Sequence, residues 1–178
     1  KGDRVAAYVP NKIESIICFL ACAKNGIIWS SCSPDFGAQG VVDRFKQIEP
    51  KVLITCDYYY YNGKKINILD KVDQILKEIP SIKKVVAYNY NNKEKEDLKN
   101  FINFEETLNG NLDEIFERFE FDHPIYILFS SGTTGKPKCI THGAGNVLIE
   151  HNKEFMLHCD IRDNEKLFYY TTTGWMMW

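Results

Sequence analysis

The sequence predicts an α/β fold built from a parallel sheet with βαβ layers. Short apolar runs alternate along the chain with segments of helical periodicity, and the connections between them are short. Strands and helices that alternate in this way form parallel sheets, because each helix carries the chain back to the edge where the next strand begins. Helices then cover the faces of the sheet.

The first half of the chain supplies most of the predicted elements. Asn11 is a residue type that caps a helix, Gly26 is a typical helix stop, and Pro50 ends the helix before it. The long apolar stretch 13–23 is interpreted as a buried amphipathic helix. The predicted strands are 4–9, 27–30, 52–55 and 84–88, and the predicted helices are 11–26, 40–48 and 70–79.

The second half is less regular. Residues 89–100 are dense in Asn, Lys, Glu and Asp, which predicts an exposed connection. The remaining predictions are mixed helical periodicity in 104–119, a buried strand in 126–129, a helix in 145–157 and a strand in 167–171.

Composition excludes some classes of function. With 44% hydrophobic and 26% charged residues, the chain has the balance of an ordinary globular protein. The net charge of −2 and the lack of a long basic run give no sign of a nucleic-acid partner. No apolar stretch approaches the roughly 20 residues that span a bilayer, so no membrane partner is expected.

The cysteines have no zinc-knuckle or redox spacing, which favours reduced thiols in the core and a cytoplasmic location. They are Cys18, Cys22, Cys32, Cys56, Cys139 and Cys159.

The most informative segment is the strand 126–129 together with the residues that follow it, Ser-Ser-Gly-Thr-Thr-Gly-Lys-Pro-Lys. Gly132 and Gly135 permit positive φ and let backbone amides approach a ligand, and successive amides in such a turn form an anion nest. Serine and threonine hydroxyls add donors, while Lys136 and Lys138 add positive charge. The segment therefore predicts a site for a polyphosphate chain.

The residues of this loop allow two other interpretations. A surface turn rich in Ser, Thr and Gly is the usual meaning of such clusters. A Walker A loop does not fit the spacing, because its first glycine would fall on Ser130 and its final hydroxyl residue would fall on Pro137.

The nine-residue loop resembles the phosphate-binding signature of the adenylate-forming superfamily, which includes acyl-CoA synthetases, luciferases and the adenylation domains of peptide synthetases. Further stretches resemble the members that activate acetoacetate, and the resemblance covers nearly the whole chain. These stretches are 2–5, 10–11, 26–37, 61–64 and 170–178. The resemblance implies that residues 1–178 are part of the large N-terminal AMP-binding domain, truncated at both ends and without the C-terminal lid domain.

The resemblance also implies a reaction: acetoacetate is activated by ATP through an acyl adenylate and then transferred to CoA, with release of AMP and pyrophosphate. ATP and CoA are the implied small-molecule partners, and Mg²⁺ bridges the phosphates. No catalytic residue is expected here, because the family's catalytic lysine lies in the absent lid domain; the segment alone is expected to be inactive. The implied ATP phosphate ligands are Ser130, Ser131, Gly132, Thr133, Thr134, Gly135, Lys136 and Lys138.

Three further contacts are candidates. His142 is a candidate nucleotide or substrate contact, with an exposed imidazole as the alternative. Thr173, Gly174 and Trp175 fall where the family builds its acyl pocket, and the alternative is ordinary core, which is also the interpretation given to residues 176–178. Lys64 occupies a CoA-contacting position of related enzymes, against the alternative of a solvated loop lysine.

Other functions stay open at this point. One is a ligase for another short carboxylate, such as acetate or propionate. Another is a non-catalytic nucleotide-binding module that kept the loop. A P-loop NTPase is the third and fits least well. The sequence gives no prediction of oligomeric state.

Overall fold

The computed structural model describes residues 1–91, 98–109, 116–131 and 135–178. Its strands are β1 (Arg4–Tyr8), β2 (Ile28–Cys32), β3 (Val52–Cys56), β4 (Tyr58–Tyr61), β5 (Lys64–Asn67), β6 (Lys84–Tyr88), β7 (Ile102–Asn103), β8 (Pro124–Ser130) and β9 (Lys138–Gly143). Its helices are α1 (Ile13–Lys24), α2 (Ala38–Ile48), α3 (Leu69–Glu78), α4 (Phe104–Thr107) and α5 (Ala144–Lys153), and a π-helical turn, Glu154–His158, continues α5.

Seven strands form one sheet in the order β7-β6-β3-β1-β2-β8-β9. Neighbouring strands are parallel except for the last pair, β8 and β9, which are antiparallel. In the central strand β1, the four residues after Arg4 are apolar and buried, and α2 and α3 pack against each other beside the sheet. The predicted α/β class is confirmed, and the strands and helices of the first half lie within two residues of their predicted bounds.

The main core lies between the sheet and its helices. Phe45 of α2, Leu53 of β3 and Ile75 of α3 have no exposed surface. Removing a side chain of this size from water contributes about 1.5–3 kcal/mol. The amphipathic pattern of α2 and α3 is therefore what fixes both helices on the sheet.

Helix α1 differs from its prediction in two ways. Its N-cap is Lys12 rather than Asn11, and the Asn11 side chain instead accepts a hydrogen bond from the Trp178 indole at 3.0 Å. The helix also turns its small residues Ser15, Cys18 and Cys22 toward the protein and leaves its isoleucines outward. Small side chains let a helix approach a sheet closely, so the expectation of a helix buried by its large apolar residues was wrong.

Two hairpins were not predicted. Strands β4 and β5 pair through a turn at Asn62 and Gly63, whose φ values of 48° and 74° are both positive. An Asn-Gly pair is a strong signal for this tight turn. The second hairpin joins β8 to β9, where a loop leading directly to a helix was expected.

The C-terminal part departs most from expectation. Residues 167–171 form no strand, and Phe168 is 85% exposed. Met176 and Met177 are also exposed, so their assignment to the core was wrong. The predicted helix 145–157 is confirmed by α5 and its π-helical continuation.

In the region predicted as a mixed helix, the described residues are helical only in α4. Parts of that region and of the predicted exposed connection, 110–115 and 92–97, lie outside the described residues.

Four of the cysteines are buried and all six are free, but Cys139 and Cys159 are exposed. In the described part of the chain, no helix has the length and apolar character needed to cross a membrane.

Candidate functional site

The predicted phosphate-binding loop joins the two strands of the β8–β9 hairpin. Ser130 at the end of β8 pairs with Lys138 at the start of β9, so the loop leaves and re-enters the sheet at neighbouring positions. Ser131, Gly135 and Lys136 are all exposed. The other three predicted ligands, Gly132, Thr133 and Thr134, lie outside the described residues. The hairpin therefore presents both ends of the loop to solvent at the edge of the sheet.

Strand β8 is half-buried except at Ile127, so the expectation of a buried strand is confirmed only at that residue, but several contacts attach the strand to the interior. It runs parallel to β2, and the buried Ser30 hydroxyl donates a hydrogen bond of 2.8 Å to the Ile127 carbonyl oxygen. The Ile127 side chain is itself buried, and the Tyr126 ring packs 6.2 Å from the ring of Phe19 on α1. These contacts give the loop a fixed starting point.

The far end of the loop rests on helix α2. The Gln47 side-chain amide donates a hydrogen bond of 2.9 Å to the Pro137 carbonyl oxygen. Lys136 and Gln47 line the same open cleft, of about 250 Å³. Sequence reasoning did not identify Gln47, because the contact joins residues 90 positions apart and no local pattern signals it.

His142 lies near the end of strand β9, two residues before the start of α5. It pairs with Tyr126 across the hairpin, with ring centroids 5.0 Å apart. Its Nε2 atom is buried and has no hydrogen-bond partner among the described residues. Burial lowers the pKa of the imidazole, and the nearby His151 lowers it further. The side chain faces a groove of about 480 Å³ beside α5, and its contact with nucleotide or substrate stays a prediction.

Thr173 anchors the C-terminal segment on the ends of β1 and β2. Its buried hydroxyl donates to the Val9 carbonyl oxygen at 2.6 Å. Its own carbonyl oxygen accepts a hydrogen bond of 2.7 Å from the hydroxyl of Ser31. The predicted pocket residue is thus a buried anchor at the carboxyl edge of the sheet, where ligands of open α/β sheets bind.

Gly174 packs directly against the loop that follows β2. A Cβ atom at this position would lie 2.6 Å from the Phe36 ring and 2.9 Å from the Ser33 backbone nitrogen. The Phe36 ring is also held by the Arg44 guanidinium, 4.5 Å from its centroid, and the Tyr8 hydroxyl donates to the Phe36 carbonyl oxygen at 2.7 Å. The structure therefore brings Phe36 and Gly174 together, and only glycine fits between them.

Trp175 and Lys64 are both exposed. Half of the Trp175 surface is accessible. Lys64 lies on β5, opposite Tyr61, in the separate two-stranded sheet. Their predicted contacts, with the acyl group and with CoA respectively, stay predictions.

A mostly parallel α/β sheet that presents a loop of glycines, hydroxyls and lysines fits the class of adenylate-forming enzymes. The model of the AMP-binding enzyme family matches residues 1–177, and the chain belongs to that family.

The similar curated proteins share a narrower name than the family does. The chain is 51% identical over 184 residues to acetoacetyl-coenzyme A synthetase of Rhizobium meliloti (strain 1021), and 47% identical over 186 residues to acetoacetyl-CoA synthetase of Gallus gallus. Each alignment covers 99% of this chain but 28% of the relative, so the chain spans little more than a quarter of their length. The solved acetoacetyl-CoA synthetase from Streptomyces lividans matches with a TM-score of 0.93 and 42% identity, over 99% of this chain and 27% of that one.

Proposed function

We propose that this chain forms part of the N-terminal domain of an AMP-forming acetoacetate:CoA ligase. The observation that carries the proposal is the similarity across the whole chain to relatives named acetoacetyl-CoA synthetase, at 36–51% identity. The contact between Phe36 and Gly174 supports it, because two of the stretches that resemble acetoacetate-activating enzymes, 26–37 and 170–178, meet there.

The reaction has two steps. A carboxylate oxygen of acetoacetate attacks the α-phosphorus of ATP, and the bond to the bridging oxygen breaks, so that pyrophosphate leaves with the electron pair. The CoA thiol then loses its proton and attacks the acyl carbon, and AMP leaves. Negative charge grows on the pyrophosphate in the first step. Donors and cations aimed at that charge lower the barrier.

The loop supplies such groups. Lys136 and Lys138 are exposed and carry positive charge toward the β- and γ-phosphates, while the hydroxyls of Ser130 and Ser131 and the backbone at Gly135 add donors. Gly132, Thr133 and Thr134 complete the set by resemblance to the family. None of these groups needs to react covalently, because their role is positioning and electrostatic stabilisation.

Mg²⁺ fits this arrangement as an ion held mainly by phosphate oxygens. Within the described ranges, no group of three or more His, Cys, Asp or Glu side chains could hold a metal. Mg²⁺ in nucleotide sites usually binds phosphates and water with few protein ligands. When bound, it neutralises charge on the triphosphate, and Ser130 and Ser131 offer nearby oxygen ligands.

The remaining roles are assigned on resemblance and placement. Thr173 holds the segment that bears the acyl pocket, with Gly174 and Trp175 as its wall. His142 contacts nucleotide or substrate, and Lys64 contacts a phosphate of CoA. The free cysteines fit a reducing compartment such as the cytoplasm. Residues 1–178 alone do not complete adenylation, because the family's catalytic lysine belongs to the C-terminal lid domain.

The test is AMP release by the complete polypeptide with ATP and CoA, measured on acetoacetate, acetate, propionate and butyrate. We expect acetoacetate to give the highest kcat/KM. Lys136→Ala should reduce kcat/KM about 100-fold, which is the scale for losing one transition-state donor. The control is Lys46→Ala, since Lys46 lines the same cleft from α2 and pairs with Glu78; it should stay within about twofold because exposed ion pairs contribute little.

Each alternative predicts a different result. A higher kcat/KM with acetate, propionate or butyrate would make the protein a ligase for that acid. No AMP release with any acid, together with retained ATP binding, would favour a non-catalytic nucleotide-binding module. Release of ADP instead of AMP would indicate NTPase chemistry.

A further inference from the structure

One exposed side chain of helix α2 reaches across to the phosphate-binding loop. Gln47 lies in the last turns of α2, and its amide contacts both residues that flank the start of β9. We infer that Gln47 is a positioning residue for the loop, which fixes Pro137 and thereby the backbone that carries Lys136. The inference rests on the proposed role of the loop in binding ATP phosphates.

The hydrogen-bonding capacity of the Gln47 amide is used on both its nitrogen and its oxygen. Nε2 donates to the Asp43 carbonyl oxygen at 2.7 Å and to the Pro137 carbonyl oxygen at 2.9 Å. Oε1 accepts a weaker hydrogen bond from the Cys139 thiol at 3.6 Å. Because carbonyl oxygens can only accept, the atom between them must be the nitrogen. The amide therefore links the body of α2 to the loop on one side and to β9 on the other.

Pro137 is an effective place to hold the loop. Proline has no backbone N–H, so its carbonyl oxygen is the only backbone group that can be hydrogen-bonded, and its ring already fixes φ. Consecutive Cα atoms are about 3.8 Å apart. Fixing Pro137 therefore confines the Cα atom of Lys136 to a small volume next to it.

The two ends of the loop are thus held by different parts of the protein. Ser130 continues from β8, which β2 holds in the main sheet. The return end is held by Gln47 of α2 and by the pairing of Lys138 with Ser130. Because Pro137 is already held, Lys136 next to it loses less conformational freedom when an anion binds. Removing Gln47 should therefore weaken ATP binding more than it slows the chemistry of bound ATP.

Helix α2 also provides a matched control. Gln39 lies two turns earlier, is exposed, and lines the same cleft, but its amide donates to the Asp43 carboxylate within the helix. Gln39→Met and Gln47→Met make the same chemical change on the same helix. Methionine is similar in length to glutamine, and it lacks the amide groups. Only the second change removes the contact with the loop.

The experiment measures the Kd for Mg·ATP by equilibrium binding and the KM and kcat for ATP and for the acid substrate, all on the complete polypeptide. We expect Gln47→Met to raise the Kd and KM for ATP about three- to tenfold, the range that corresponds to one lost hydrogen bond. The KM for the acid, the kcat and the midpoint of thermal unfolding should stay close to wild type. Gln39→Met should match wild type in every measurement.

Two results would overturn the inference. One is an unchanged Kd for ATP in Gln47→Met. The other is an equal loss in ATP binding, acid binding and thermal stability, which would make Gln47 a merely structural residue. If the wild type binds ATP but does not use acetoacetate, the substrate assignment fails and the Kd comparison still decides the role of Gln47. If the wild type binds no ATP, both proposals fail.

Discussion

Residues 1–91 and residues 124–178 bury very different shares of their apolar side chains. The first region contains nearly all of the fully covered core, including Tyr8, Phe45 and Leu53. In the second region, the described residues include only two buried ones, Ile127 and Thr173. The first region is a scaffold with its own core. The second carries the predicted phosphate loop and acyl segment, and it attaches to the scaffold at a few points.

The attachments between the two regions include apolar contacts, such as the Tyr126 ring against Phe19, and several specific polar ones. Among the polar contacts are the hydrogen bonds from Ser30 to Ile127, from Ser31 to Thr173, from Thr173 to Val9 and from Gln47 to Pro137. The first three of these hydrogen bonds are buried, and each contributes about 0.5–1.5 kcal/mol, whereas the bond from Gln47 to Pro137 is exposed. Such bonds depend on direction, whereas apolar packing does not. The comparison shows how a stable sheet can fix the position of functional segments that bury little surface of their own.

The largest loss of stability should come from a substitution at Gly174, where the two regions meet. Gly174→Ala would put a methyl group 2.6 Å from the Phe36 ring and 2.9 Å from the Ser33 backbone nitrogen. The ring can move but the backbone cannot do so cheaply, so we expect the complete polypeptide to lose about 1–3 kcal/mol of unfolding free energy. Urea denaturation measures the loss.

A glycine-to-alanine substitution within residues 1–91 should have the opposite effect and raise the unfolding free energy. Gly40 lies inside α2, and a Cβ atom there would meet Arg44 at an ordinary 3.7 Å. Gly40→Ala should therefore stabilise the protein by about 0.5–1 kcal/mol, because alanine loses less entropy in a helix. If Gly174→Ala is as well tolerated as Gly40→Ala, the close contact between the two regions is not present in solution.

A smaller effect on stability should follow from a change of pH, through His142 in the β8–β9 hairpin. Burial, and then His151, lower the pKa of His142 below its usual 6.5. The unfolded chain therefore binds this proton more readily than the folded chain. The folded state has its full stability above about pH 6.5 and loses part of it as the pH falls through the lowered pKa of His142. Denaturation midpoints between pH 5 and pH 7.5 should show this decline.

Replacing the histidine should weaken that decline. His142→Gln keeps a polar side chain but has no titrating group in the groove, so its midpoints should depend less on pH over the same range. His158→Gln, at an exposed position of the π-helical turn, is the comparison variant. An equal slope in wild type and His142→Gln would show that His142 is not in the desolvated position seen beside Tyr126.

The structure of residues 1–91 could be predicted from the sequence better than that of residues 124–178, for a physical reason. In 1–91, apolar periodicity reflects burial, and α2 and α3 form where that periodicity is strong. Residues 167–171 have a strand-like apolar pattern but form no strand, and residues 167–170 are exposed. The bounds of helix α1 were predicted within two residues, but its buried face consists of small residues. Apolar periodicity does not reveal which face of such a helix is buried.

Some parts of the candidate site could also be predicted from the sequence and others could not. The loop could be found because its glycines, hydroxyls and lysines are consecutive in sequence, and family membership supports that interpretation. The contacts of Gln47 with Pro137 and of Phe36 with Gly174 could not be derived from local patterns, since each joins distant parts of the chain. The consecutive residues Asn62 and Gly63 are a local signal for the β4–β5 hairpin.

The measurement that tests the central claim most directly is a crystal structure of the complete polypeptide with Mg²⁺ and an ATP analogue whose α–β bridge cannot be cleaved. The account predicts that the β- and γ-phosphates lie on the loop between β8 and β9, within about 3.2 Å of the Lys136 amine and of the loop's donors, with Gln47 still bonded to Pro137. A triphosphate bound away from this loop, for example in the groove beside His142, would contradict it.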